Sequence, residues 1–103
     1  MDDAIKGPMW AIELVKDGKH VGYLSGKSKN EEFVVVFTNE SAANRAVAAN
    51  SSQMLIPLPT PIDLGIFLRS IAKARMEKVG FHSGKSATIL TIAEILKALS
   101  GEG

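Results

Sequence analysis

Five consecutive apolar residues at positions 33–37 (FVVVF) lie in the middle of the chain and run directly into a helix signal. All five are β-branched or aromatic, which is typical of a strand buried on both faces. Thr38 or Asn39 can cap the first N–H groups of a helix, and Glu40 then lies in the first turn, where the helix dipole favours a carboxylate. The sequence therefore predicts a buried central strand that turns directly into a helix over residues 39–49.

Residues 10–24 predict a β-hairpin. Apolar and polar residues alternate on both sides of Asp17-Gly18, a pair that favours a type I′ turn because both of its residues need positive φ. A two-residue turn places Leu14 opposite Val21. The face that they share also carries Trp10, Ile12 and Tyr23, and these three residues are predicted to be largely buried.

Four further segments link or flank these elements. Polar residues 25–32 are predicted to form a loop into the central strand. Residues 54–59 are apolar but contain two prolines, which lack an N–H, so they are predicted to be an edge strand or an extended cover. Residues 81–86 are predicted to be a connector or a very short strand. Residues 87–90 fit either a strand or the first turn of the last helix, because periodicity does not separate the two.

Two later helices carry start signals. Thr60, Pro61 and Asp63 have the residue types and spacing of N-cap, N1 and N3 positions. This helix is predicted over residues 61–78, with Gly80 at the C′ position. For the last helix, which runs to Leu99, the sequence Thr91-Ile92-Ala93-Glu94 is typical of a capping box.

The order of segments, β-β-β-α-β-α-(β)-α, predicts a small α+β protein. Its 103 residues give room for one domain, which we take as residues 1–103. We expect an antiparallel sheet, made of the hairpin, the central strand and an optional edge strand, covered by about three helices on one face. Residues 1–8 and 100–103 are expected to be flexible.

Charge and cysteine content limit the classes of function. Twelve basic and eleven acidic residues leave a formal net charge of +1, so no overall attraction to nucleic acid or to an anionic membrane is expected. The chain has no cysteine, which excludes disulfides and thiol chemistry and fits a reducing cytoplasm. An acidic start and the lack of a long apolar run indicate a soluble cytoplasmic protein without a membrane segment.

A short motif occurs twice. The sequence Gly, aromatic, any residue, Ser-Gly-Lys-Ser is found at residues 22–28 and again at 80–86. A phosphate-binding loop needs four residues between its glycines, and here there are three, so the fingerprint fails in both copies. Gly, Ser and Lys are also common in exposed turns. Lys27 and Lys85 nevertheless stay as candidate anion-binding residues.

No constellation of catalytic or metal-binding residues is apparent. His20 and His82 are the only histidines, and neither has the spacing of a metal or catalytic motif. The pairs Asp2-Asp3 and Glu31-Glu32 lie on segments predicted to be exposed, whereas acid–base chemistry needs rigid, partly buried carboxyl groups. We therefore expect no catalytic, cofactor or metal site, and we favour a binding module over an enzyme.

The last helix has more apolar residues than one buried stripe needs. Its surplus is expected to form an interaction surface for a protein partner or for self-association. The first hypothesis is a small non-catalytic module that acts through protein–protein contact, with a homodimer as one form. The alternative is a small-ligand or anion-binding domain that uses the Ser-Gly-Lys-Ser turns. The residues of the interaction surface are Ile92, Ile95, Leu96 and Leu99.

Overall fold

The computed structural model describes residues 8–49 and 52–99, in which seven strands form one mixed sheet with three helices packed on it. The predicted order of strands and helices is confirmed. The termini expected to be flexible lie outside the described residues, apart from Pro8. The strands are β1 (Met9–Lys16), β2 (Lys19–Tyr23), β3 (Ser25–Ser28), β4 (Glu31–Phe37), β5 (Gln53–Leu58), β6 (Lys78–His82) and β7 (Ala87–Thr91), and the helices are α1 (Glu40–Ala48), α2 (Pro61–Lys73) and α3 (Ile92–Leu99).

The sheet runs β5–β1–β4–β6–β7 and forks between β1 and β4. Near the N-terminus of β1 these two strands pair directly, but further along β1 pairs with β2, and β4 pairs with β3. Leu24 lies at the fork, where its N–H donates to the Ile12 carbonyl and its carbonyl accepts from the Val35 N–H, both at 2.9 Å. Residues 25–28, which were expected in a loop, are therefore held as a strand by β4.

The central strand β4 is buried on one face, with Val34 and Val36 1% and 0% exposed. On the other face Phe37 is buried, but Phe33 and Val35 are half-buried, so the predicted burial of both faces is confirmed only in part. The neighbouring strand β6 is parallel to β4, pairing Val34 with Val79. The sheet is thus mixed and not purely antiparallel as predicted. The chain between β4 and β6 passes through α1, β5 and α2, and such a crossover returns the strand in the same direction, whereas a short hairpin connection would reverse it.

Helices cover both faces of the sheet, and not one face as expected. Successive side chains of a strand point to opposite faces. Val34 and Val36 pack with α2 and α3, while Val35 and Phe37 pack with α1. No helix in the described part of the chain is long and apolar enough to cross a membrane.

The β1–β2 hairpin has the predicted turn but a different register. Asp17 and Gly18 have φ of 53° and 77°, as a type I′ turn requires. Leu14 pairs with Gly22, because a bulge leaves Val21 without a direct partner. Alternation of apolar residues does not reveal such an insertion, so the predicted Leu14–Val21 pair is wrong. Of the three residues predicted to be largely buried, Ile12 is fully buried, but Trp10 and Tyr23 are only half-buried.

Both predicted capping boxes are present. The Thr60 hydroxyl accepts from the Asp63 N–H at 3.3 Å, and the Asp63 carboxylate accepts from the Thr60 N–H at 3.2 Å. The Thr91 hydroxyl accepts from the Glu94 N–H at 3.1 Å, and Glu94 accepts in return from the Thr91 N–H at 3.2 Å. The last helix therefore starts after Thr91, and the alternative of a strand is the correct one for the preceding residues.

Helix α2 ends earlier than predicted, at Lys73 and not at residue 78. Arg75 takes the left-handed C′ position with φ of 67°, and the Met76 N–H donates to the Ile71 carbonyl at 3.1 Å, which closes the helix in a Schellman motif. Gly80, predicted to be the C′ residue, lies inside β6. The predicted helix was too long because helix-like spacing of apolar residues continues to the start of β6. Parallel pairing with β4 holds that segment as a strand.

Candidate functional site

Helix α2 carries two isoleucines on its outer face. It buries Leu64, Leu68 and Ile71 at helical spacing, which directs Ile62 and Ile66 away from the core. Their exposed fractions are 76% and 59%. Single exposed apolar side chains are common on protein surfaces, but two on adjacent turns form a contiguous apolar patch, which is typical of an interaction site.

Helix α3 provides the second wall of an apolar groove. Its Leu96 and Leu99 are half-buried beside α2. Gly65 adds no side chain to the groove, and a Cβ atom there would be in ordinary van der Waals contact with Leu99 Cδ1, at 3.9 Å. The groove has a volume of about 270 Å³. It is lined by Pro61, Ile62, Gly65, Ile66, Arg69, Leu96 and Leu99.

The surface expected on the last helix is divided by the structure. Ile92 and Ile95 are 6% and 0% exposed and belong to the core. Leu96 and Leu99 remain at the surface and line the groove. The α2 wall was not among the predicted site residues. The spacing of its outer isoleucines by four residues, opposite the buried stripe of α2, is the signal that could have identified it.

Arg69 supplies a positive charge at the groove. It is exposed and lies one turn after Ile66. Lys73 is one further turn along the same helix face. Neither cation has an ion-pair partner among the residues that the structure describes. A carboxylate that approaches this end of the groove therefore meets an unneutralised cation.

The two candidate anion-binding lysines lie far apart. Lys27 is on β3, opposite Glu32 of β4. Lys85 lies in the β6–β7 turn, beyond His82, which pairs with Phe37 of β4. Glu32 and Phe37 are separated by about 17 Å along an extended strand. The two Ser-Gly-Lys-Ser segments therefore lie toward opposite ends of the sheet, and Glu32 is a competing anion beside Lys27.

The histidines make local contacts. His20 Nδ1 lies 2.7 Å from Glu13 Oε2 on the exposed side of the hairpin. His82 Nδ1 accepts from the Gly84 N–H at 2.9 Å within the β6–β7 turn. Over residues 8–49 and 52–99, no group of three His, Cys, Asp or Glu side chains is placed to hold a metal ion.

The carboxylates likewise have structural partners. Glu31 accepts from Lys78 Nζ at 2.5 Å, an ion pair between β4 and β6. The pKa of Glu94 is lowered from its ordinary value, because the side chain and then the backbone of Thr91 donate hydrogen bonds to the carboxylate. Neither Glu31 nor Glu94 lines the α2–α3 groove. Each stabilises the end of a strand or helix.

No protein-family model matches the sequence, and no curated protein matches it at a significant level. The surface features that bear on function are the apolar groove between α2 and α3 and the Arg69 cation beside it.

Proposed function

We propose that this domain is a small non-catalytic module that acts through protein–protein contact, and that the α2–α3 groove receives a helix of a partner protein. The observation that carries this proposal is the 76% exposure of Ile62 beside a formed apolar groove. Covering apolar surface is favourable by about 25 cal/mol per Å². A partner that fills the groove gains this free energy without rearranging the domain.

The shape and charge of the groove define the partner's chemistry. Two packed helices present a groove that accepts a third helix through apolar residues spaced by three or four positions. Arg69 favours a carboxylate on that helix, close to the last apolar residue, because a guanidinium binds a carboxylate through paired hydrogen bonds. The expected partner segment is therefore an amphipathic helix with apolar anchors and an acidic end.

A second copy of the chain is the alternative occupant of the groove. Helix α2 itself offers the two exposed isoleucines and the carboxylate of Asp63. A homodimer through this surface would keep the proposed class of function and change the partner. The experiment below separates the two occupants.

The cellular location and the alternative function of anion binding are supported to different degrees. We place the module in the cytoplasm because the chain lacks cysteine, and fractionation of cells that express it tests this location. The rival function of anion binding has less support, because Lys27 and Lys85 lie toward opposite ends of the sheet.

The proposal is tested by comparing Ile66→Asp with Val21→Asp. Both native side chains are 59% exposed, but Val21 lies on the hairpin. A photo-cross-linking residue at position 62 captures the partner in cells, and its affinity is then measured with both purified proteins. We expect Ile66→Asp to weaken binding at least about tenfold and Val21→Asp to leave it unchanged, because a charge buried in an apolar contact is costly.

Equal effects of the two substitutions would contradict the groove as the contact surface. If the purified protein alone is a dimer that Ile66→Asp dissociates, the occupant is a second copy.

A further inference from the structure

The outer edge of β7 is unprotected. This strand, with the sequence ATILT, ends the sheet and pairs with β6 on one side only. Natural edge strands usually carry a charge, a proline or a bulge that prevents further pairing. β7 has none of these, and its β-branched residues favour an extended backbone.

Hydrogen bonds at both ends of β7 show which backbone groups bond to β6. Bonded and non-bonded residue pairs alternate along an antiparallel ladder. At one end the Ile92 N–H donates to the Glu77 carbonyl at 2.8 Å, and at the other the Ser83 N–H donates to the Ser86 carbonyl at 3.0 Å. Alternation from either of these bonded pairs makes Thr88 and Leu90 the residues of β7 whose backbone groups bond to β6. These are the even-numbered residues of the strand.

The odd-numbered residues then direct their backbone groups away from the sheet. The N–H of Thr91 is occupied by the Glu94 carboxylate at 3.2 Å. Ala87 and Ile89 remain, and no partner of their outward N–H and carbonyl groups is found among the described residues. The edge thus offers two donors and two acceptors, arranged symmetrically about Thr88.

We propose that β7 pairs with β7 of a second copy, antiparallel, about a two-fold axis at Thr88. In this register Ala87 lies opposite Ile89 of the second copy, and Ile89 opposite its Ala87. The two pairs exchange four hydrogen bonds and use every outward group of the two residues. β7 carries no charged residue, so no like charges meet at the axis.

The opposite edge of the sheet favours a closed dimer over an open filament. β5 forms that edge, and its Pro57 pairs with Trp10 of β1. The Val15 N–H donates to the Ser52 carbonyl at 2.8 Å, and the alternation from there places Pro57 among the residues that face outwards. Because proline has no N–H, it interrupts the donors of this edge. Pairing of β7 with β5 of another copy is therefore disfavoured, and the symmetric β7–β7 contact remains.

This dimer is independent of the α2–α3 groove, and its test uses different residues. The chain contains no cysteine, so a single introduced cysteine reports one contact. The two Thr88 residues form a non-hydrogen-bonded pair in the proposed register, with Cα atoms about 4.5 Å apart, which a disulfide spans. Thr88→Cys should therefore give a disulfide-linked dimer on mild oxidation.

Ala87→Cys is the matched control. Ala87 is exposed on the same edge, but its Cα lies about 8 Å from that of its counterpart in the proposed register, beyond the reach of a disulfide. We expect this variant to cross-link at least ten times more slowly than Thr88→Cys. Equal rates in the two variants would overturn the proposed register.

Ala87→Pro tests the edge without cysteine. It removes an outward N–H and leaves the bonds between β7 and β6 in place. The unfolding temperature of the variant should therefore stay within a few degrees of the native value. The variant should sediment as a monomer at concentrations at which the native chain sediments as a dimer. A native chain that stays monomeric at its highest soluble concentration would overturn the proposal. So would an Ala87→Pro variant that stays folded and dimeric. A dimer dissociated by Ile66→Asp but not by Ala87→Pro would assign self-association to the groove.

Discussion

The backbone conformation of Arg75, at the end of α2, is strained. Arg75 has φ of 67°, in the left-handed region that costs a residue with a Cβ atom about 1–2 kcal/mol. Glycine avoids this cost but loses about 0.5–1 kcal/mol through its freer unfolded state. We therefore expect Arg75→Gly to raise the free energy of unfolding by about 0.5–1 kcal/mol in urea melts. Ala72→Gly, inside the same helix, is the control and should lower it. A loss of stability in Arg75→Gly would show that the guanidinium makes a stabilising contact.

Thr60 has the contacts of an N-cap. Its hydroxyl accepts from the Asp63 N–H at 3.3 Å and donates to the Asp63 carboxylate at 2.7 Å. Thr60→Ala removes both contacts and should lower the free energy of unfolding by about 1 kcal/mol. Thr60→Ser, which keeps the hydroxyl, should recover most of the loss. A change below about 0.3 kcal/mol in Thr60→Ala would contradict the capping role.

Glu94 makes stability depend on pH at the start of α3. Its pKa is lowered from the ordinary value of 4.5 by hydrogen bonds from Thr91. A lowered pKa in the folded state gives stability that is present above the unfolded pKa and lost as the pH falls through the folded value. We expect Glu94→Gln to be less stable than the native protein at neutral pH and to match it well below pH 4.5. Denaturant melts at both pH values test this; a difference that persists in acid would assign the effect to another cause.

At the scale of the strand, two glycines make room for one aromatic ring. Phe33 of β4 pairs with Gly26 of β3, and its ring also covers Gly80 of β6, which pairs with Val35. A Cβ atom at Gly26 would lie 2.8 Å from the ring, and one at Gly80 would lie 2.6 Å from it. These glycines belong to the two copies of the repeated motif, one in each. Packing against Phe33 accounts for the lack of a side chain at both positions.

Gly80→Ala tests this packing. The added methyl group would overlap the Phe33 ring, so we expect a loss of about 1–3 kcal/mol of unfolding free energy. In a Phe33→Ala background the ring is gone and the same substitution should cost less than about 1 kcal/mol. A double-mutant cycle in urea measures the difference. Equal costs in both backgrounds would mean that strand backbone, and not the ring, limits residue 80.

Across the whole molecule, the most stable region should be the centre of the sheet. Val36 and Val79 are both 0% exposed and lie on adjacent parallel strands under α2 and α3. Their amides should exchange with solvent only through global unfolding, whereas the amide of Val21, at the bulge, should exchange through local opening. Hydrogen exchange followed by NMR across a denaturant series separates these modes. Sub-global exchange at Val36 would contradict a single cooperative core.

The sequence by itself determined the features that depend on neighbouring residues. The Asp17-Gly18 turn, the Thr60 and Thr91 caps, the buried strand at 33–37 and the order of the elements follow from conformational preference and hydrogen bonds within a few positions. Such preferences act before the chain is folded, so they can be read along it.

Only the tertiary structure decided the features that join distant segments. The bulge at Val21, the parallel pairing of β4 with β6, the early end of α2 and the side of the sheet that α1 covers each depend on a partner far away in the chain. The same holds for the groove, since Ile62 and Leu99 meet only after both helices have packed on the sheet. Long-range burial outweighs local preference at these places, because it removes far more apolar surface from water than any neighbouring residue can.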